Sequence, residues 1–83
     1  MKLKMYAVKD TVQGEVMNPF LLRNKEEAKR AFSQAVNSKN DSNITNYYKD
    51  MQLFELGEYD TTTGAIASNV EYVCSGINVR EGE

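Results

Sequence analysis

The stretch "LFELGEYDTTTGAI" (residues 53–66) decides the fold of this chain, because it predicts a strand, a tight loop and a returning strand. Apolar side chains alternate with carboxylates in its first half, the pattern of a strand with one buried face. Gly57 within this strand indicates a bulge or a close backbone approach. Asp60–Gly64 predicts a hairpin loop whose glycine adopts a positive φ. The segment "AIAS" (65–68) is then expected to be a short return strand.

The N-terminal segment "KLKMYAVKD" (2–10) alternates in the same way and predicts the opening strand. Leu3, Met5 and Ala7 are expected to form its dry face. The opposite face is basic and aromatic, and consists of Lys2, Lys4, Tyr6 and Val8. A turn at Gln13–Gly14 then leads to "VMNPFLLR" (16–23), a second strand that Pro19 confines to a sheet edge or interrupts with a bulge.

A helix is expected directly after this second strand. Asn24 suits the N-cap, and Glu27 stands three residues later, as in a capping box. Apolar residues then recur at the spacing of a buried helical stripe. The predicted stripe consists of Ala28, Ala31, Phe32, Ala35 and Val36. Asn37 and Ser38 are expected to end the helix.

The rest of the chain completes a two-layer α+β fold. The polar segment 37–43 predicts a surface loop, and Ile44, Tyr47 and Tyr48 predict a short helical turn that plugs the core. "VEYVCSGINV" (70–79) predicts a last strand. The expected order is ββαβββ, an antiparallel sheet of four to five strands packed on one main helix. Residues 1–83 form a single domain, and the acidic end 80–83 is expected to be frayed.

The composition argues against an enzyme. The chain has no histidine and one cysteine, so it lacks the usual general base, a Cys-His or Ser-His pair and the common zinc ligands. Glu55, Glu58 and Asp60 lack the spacing of a calcium loop, and no metal or cofactor is expected. Cys74 is expected to be a small buried hydrophobe. No apolar run reaches 18 residues and no signal peptide is evident, so no membrane contact and a cytoplasmic location are expected.

Basic charge is concentrated in the first part of the chain. Residues 1–50 carry a net charge of +3 and residues 51–83 a net charge of −5. Lysine and arginine near aromatic side chains are typical of single-stranded nucleic-acid binding, in which cations contact phosphates and rings stack on bases. The candidate nucleic-acid-binding residues are Lys2, Lys4, Tyr6, Arg23, Lys25, Lys29, Arg30, Tyr47 and Tyr48. Solvated lysines and core tyrosines are the more common outcome of such a pattern.

Three segments in this order resemble a known family. They are "MKLKMYAVKD" (1–10), "NPFLLRNKEEAKRAFSQAVN" (18–37) and "YYKDMQLFELGEYDTTTGAI" (47–66). Together they resemble the small nonstructural protein of the gokushoviruses, phages of the Microviridae with circular single-stranded DNA genomes. The resemblance covers residues 2–67. It implies a non-virion protein of the infected bacterial cytoplasm with a part in genome replication or single-stranded DNA synthesis, and it assigns no catalytic or binding residue.

Two functions are therefore expected as alternatives. The first is a non-enzymatic DNA-binding accessory factor of phage replication that uses the candidate residues above. The second is a protein-interaction module that docks on a replication initiator or a host factor by a sheet edge or the acidic hairpin. A homodimer joined through edge strands is compatible with either function.

Overall fold

The structure of the chain is a computed structural model that describes residues 1–81. It is an α+β fold with one antiparallel sheet, as the sequence predicts. The strands are β1 (Lys2–Asp10), β2 (Glu15–Val16), β3 (Phe20–Leu22), β4 (Met51–Asp60) and β5 (Ile66–Ser75). The helices are α1 (Lys25–Val36), α2 (Asn43–Asn46) and α3 (Gly76–Val79), and a 3₁₀ turn spans Tyr48–Asp50. No helix within residues 1–81 is long and apolar enough to cross a membrane.

The sheet has β1 and β4 at its centre and β5 at one edge. The other edge of β1 is shared by two short strands, β2 opposite Lys9 and β3 opposite Lys4 to Tyr6. The predicted second strand is therefore split in two. Pro19 lies in the gap between β2 and β3, and because it has no backbone N–H, it is tolerated only at such an edge position.

Helix α1 follows its sequence signals closely. The Asn24 side chain accepts a hydrogen bond of 2.9 Å from the Glu27 N–H, and the Glu27 carboxylate in turn accepts one of 3.0 Å from the Arg23 N–H. The first bond satisfies one of the backbone donors that a helix start leaves open, and the second ties the residue before the N-cap to the first turn. The buried stripe consists of Ala28, Phe32 and Val36. Ala31, which was predicted in this stripe, is exposed.

Helix α1 covers the face of the sheet that carries Tyr6 and Val8, and this is the opposite of what we predicted. Tyr6 is fully buried and belongs to the same core as Phe32 and Leu53. Strict alternation divides a strand into two faces, but it does not say which face a helix will cover. Both faces of β1 hold apolar residues, so the pattern fitted either arrangement. The core consists of Tyr6, Val8, Ala28, Phe32, Val36, Tyr48, Met51, Leu53 and Cys74.

The C-terminal third also differs from the prediction. Residues 66–75 form one continuous strand, β5, instead of two strands, so the order is three strands, the helices, then two strands rather than ββαβββ. The predicted last strand ends at Ser75, whose N–H donates a 2.9 Å hydrogen bond to the Asn78 side chain as α3 begins. Because β5 is an edge strand, polar Ser68 and Asn69 in its middle face water and do not interrupt it.

The end of the described chain returns to helix α1. Arg80 donates a 3.0 Å hydrogen bond to the Val36 carbonyl oxygen, and the Glu81 N–H donates one of 2.8 Å to the Asn37 side chain. These bonds cap carbonyl and amide groups at the C-terminal end of α1. The segment 80–83, expected to be frayed, thus begins with two hydrogen-bonded residues, and residues 82 and 83 lie outside the described part.

A bulge at Gly57 fixes the register of the central strands. The pairing of β1 with β4 shifts between Met5 and Tyr6, next to Gly57, which has a φ of 150°. A Cβ atom at this position would overlap the carbonyl oxygen of Ala67 on β5. Only glycine fits here, because the backbone angle and the close approach both exclude a side chain. The bulge predicted from the sequence is confirmed.

We predict that Gly57→Ala lowers the free energy of unfolding by about 3 kcal/mol or more, from backbone strain together with the clash against β5. Gly64→Ala is the matched control, because Gly64 also has a positive φ (78°) but has open space around it. Strain alone should cost that variant about 1–2 kcal/mol. Urea denaturation of both variants measures the difference. Equal losses would show that β5 does not approach Gly57 closely.

Candidate nucleic-acid interface

Two of the candidate stacking residues are inside the core. Tyr6 is fully buried, and its ring lies 6.1 Å from that of Phe20. Tyr48 is 8% exposed, and the Arg80 guanidinium covers its ring at 4.6 Å, a cation–π contact. A nucleic-acid base has no access to either ring in this fold. The predicted stacking role of Tyr6 and Tyr48 is therefore corrected, because both rings form the contact between sheet and helices.

Tyr47 is the exposed member of the Tyr47–Tyr48 pair, as a helical turn with one inward side chain requires. Its surroundings are acidic, however. It lines a shallow pocket together with Val12, Gln13 and the carboxylates of Asp10 and Asp50. Negative charge next to the ring repels phosphate, so Tyr47 is poorly placed to stack on a base.

The basic residues of β1 and of the segment before α1 face carboxylates. The Lys4 ammonium lies 3.7 Å from Glu55 and 3.6 Å from Glu58. The Arg23 guanidinium lies 3.5 Å from Glu27. Lys2 is opposite Asp60 in the register of β1 and β4. The charges of Lys4 and Arg23 are thus balanced locally, whereas Lys2 forms no ion pair within residues 1–81.

The remaining three candidates, Lys25, Lys29 and Arg30, lie together on the first two turns of α1. Within residues 1–81 they form no ion pair. Lys25 and Arg30 are exposed. Lys29 lies at the flank of the buried stripe, close to Cys74. Burial raises the pKa of the Cys74 thiol, and the positive charge of Lys29 partly opposes that rise. Apart from Lys2 at the start of β1, the predicted basic residues that form no ion pair within residues 1–81 all lie on this helix.

The sheet face that α1 does not cover was missed by the sequence reasoning, and we call it the open face. One part of it holds a concavity of about 300 Å³ lined by Met5, Pro19, Leu21, Tyr59 and Ile66. In another part, the rings of Phe54 and Tyr72 meet edge to face, with their centroids 5.8 Å apart. The sequence did indicate this face, because both the odd-numbered and the even-numbered residues of β1, which point to opposite faces of the sheet, include apolar side chains.

The fold and its surfaces define a small two-layer α+β protein with one sheet face covered by a helix and one left open. The family model described as "Phage ORF5 protein" matches residues 3–79, which include all strands and helices of this fold except Lys2, the first residue of β1. The chain therefore belongs to this family of phage proteins. No curated protein and no solved structure gives a significant match to it.

The Tyr6 hydroxyl gives a test of the core. It is buried without a hydrogen-bond partner among the described residues. Burial, and secondly the charge of Glu55, raise the pKa of Tyr6 above its usual value of 10.0. A raised folded-state pKa stabilises the protein below the unfolded-state pKa, and this contribution is lost as the pH rises further.

We therefore predict that the free energy of unfolding falls as the pH rises above about 10, and that it falls less for Tyr6→Phe. At neutral pH this variant should be as stable as the wild type or more stable, by up to about 2 kcal/mol, since it removes an unpaired buried hydroxyl. Tyr47→Phe, at an exposed ring, is the control. Urea denaturation across the pH range measures both effects. A clear loss of stability for Tyr6→Phe at neutral pH would show that the Tyr6 hydroxyl does have a hydrogen-bond partner.

Proposed function

We propose that this phage protein is a non-enzymatic nonstructural protein of the gokushovirus type, which acts in the cytoplasm of the infected bacterium. Its role would be that of a DNA-binding accessory factor in genome replication or single-stranded DNA synthesis. Membership of a phage protein family over residues 3–79 supports the viral part of this proposal. The resemblance over residues 2–67 supports the assignment to the gokushovirus type.

The observation that carries the DNA-binding part is the basic set on α1. Lys25, Lys29 and Arg30 have no carboxylate partner within the described chain, so their charge is free for phosphate. Lys4 and Arg23 can join only by leaving their carboxylates, which costs part of the binding energy. Because no exposed aromatic ring belongs to this set, the proposed contacts are to phosphates rather than bases. Binding is then independent of sequence.

Binding of this kind depends on the release of counterions from DNA, so it has a defined salt dependence. For single strands the logarithm of the binding constant falls by about 0.7 per phosphate contact for each unit of log salt concentration, so three contacts predict a slope of about −2. We predict that Lys25→Gln or Lys29→Gln makes this slope shallower by about 0.7 and weakens binding at low salt. Fluorescence anisotropy with labelled single-stranded DNA at several salt concentrations measures the slope.

Lys39→Gln is the matched control for these variants. Lys39 is an exposed lysine in the loop after α1, outside the proposed contact surface. The control should bind as the wild type does. Absence of binding at tens of micromolar protein in low salt overturns the proposal, and so does an equal effect of all three substitutions.

The alternative function, docking on a replication initiator or a host factor, has support from one observation. The outer side of β5 has no strand partner among residues 1–81, so its backbone groups are free for strand addition by an extended segment of another protein. The acidic hairpin is less suited to this role, because Glu55 and Glu58 already contact Lys4. Isolation of the tagged protein from infected cells separates the two functions, since protein partners held only through DNA are lost after nuclease treatment.

A further inference from the structure

The open face exposes more apolar surface than a small monomer usually does. Nine large hydrophobic residues are exposed within the described chain, and the strand registers place four of them on this one face. These four are Val16, Leu21, Ile66 and Tyr72. Leu21 and Ile66 line the concavity described above, and Tyr72 is one ring of the aromatic pair. Contiguous exposed apolar surface of this kind marks a place where another molecule binds and covers it.

The same face is almost free of charge. The registers assign to it side chains from all five strands. They are Leu3, Met5, Ala7, Lys9, Val16, Leu21, Gln52, Phe54, Tyr59, Ile66, Ser68 and Tyr72. Lys9 is the single charged member, and it lies towards one end of the face, beside β2. A charged partner such as DNA therefore finds no complementary group on this face other than Lys9 at its end.

We propose that the open face is the interface of a homodimer, in which a second copy of this chain packs its own open face against the first. Two identical uncharged faces can meet without burying an unpaired charge, since only Lys9 at the end of the face must stay in water. The result is a sheet-on-sheet core with the two α1 helices on the outside. This proposal does not depend on the DNA-binding proposal, because the dimer would not cover Lys25, Lys29 and Arg30 on α1.

The size of the open face is sufficient for such a dimer. Strands β1 and β4 have nine and ten residues, so the face is about 30 Å long, and four strand positions make it roughly 15–20 Å wide. Each copy thus offers roughly 500 Å², and the pair buries about 1,000 Å², the lower bound for a specific interface. A chain of 83 residues gains much from this, because its own core is small.

Light scattering and sedimentation equilibrium of the full chain test the proposal. We expect the wild type to have the mass of two chains at tens to hundreds of micromolar. Ile66→Lys and Leu21→Lys each place a charge on the open face, at opposite edges of the sheet, and both should give monomers with an unchanged circular dichroism spectrum. Ile77→Lys is the matched control, since Ile77 is similarly exposed (56% against 65% for Ile66) but lies on α3; it should remain a dimer.

Each other outcome overturns the proposal. A monomeric wild type at hundreds of micromolar shows that the open face is not an interface between copies. A dimer that Ile66→Lys breaks and Leu21→Lys does not is joined through the β5 edge instead. If a variant fails to fold, methyl NMR of the wild type decides: the Met5 methyl signal must shift with protein concentration while that of buried Met51 does not, and a Met5 signal that stays fixed rejects the dimer.

Discussion

The packing of Phe32 against the Tyr6 face of the sheet is the contact on which the rest of the structure depends. Both side chains are fully or almost fully buried in the same core, and burial of an aromatic side chain of this size contributes about 1.5–3 kcal/mol. The contact selects which face of the sheet α1 covers. It thereby leaves Lys25 and Arg30 exposed, with Lys29 at the flank of the buried stripe, and it leaves the face of Met5 and Leu21 uncovered. One core contact thus determines the position of the basic helix and of the open apolar face.

Several parts of the fold could be predicted from the sequence because local chemistry determines them. Asn24 and Glu27 begin α1 by hydrogen bonds within four residues, and Gly57 is required by a backbone angle that other residues avoid. The covered face of β1 could not be predicted, since it depends on packing between distant segments. The continuity of β5 was missed for a related reason: Ser68 and Asn69 resemble a break, but at a sheet edge polar side chains are solvated on either face.

The candidate site was predicted in part. The basic residues of α1 follow from the helix pattern, which leaves them outside the buried stripe. The pairing of Lys4 with Glu55 and Glu58 depends on strand register, which the sequence does not specify. Residue type alone does not distinguish the tyrosines, but burial does: Tyr6 and Tyr48 are in the core, whereas Tyr47 is exposed in an acidic setting. Of the predicted basic residues, those of α1 form no ion pair with any carboxylate of residues 1–81.

The central claim is that α1 covers the Tyr6 face, and the solvent exposure of the tyrosine rings tests it most directly. A soluble paramagnetic probe broadens NMR signals according to their exposure to solvent. We predict weak broadening of the ring signals of Tyr6, which is fully buried, and strong broadening of those of Tyr47, which is 58% exposed. Strong broadening at the Tyr6 ring would contradict the claim, because it would place the helix on the other face of the sheet.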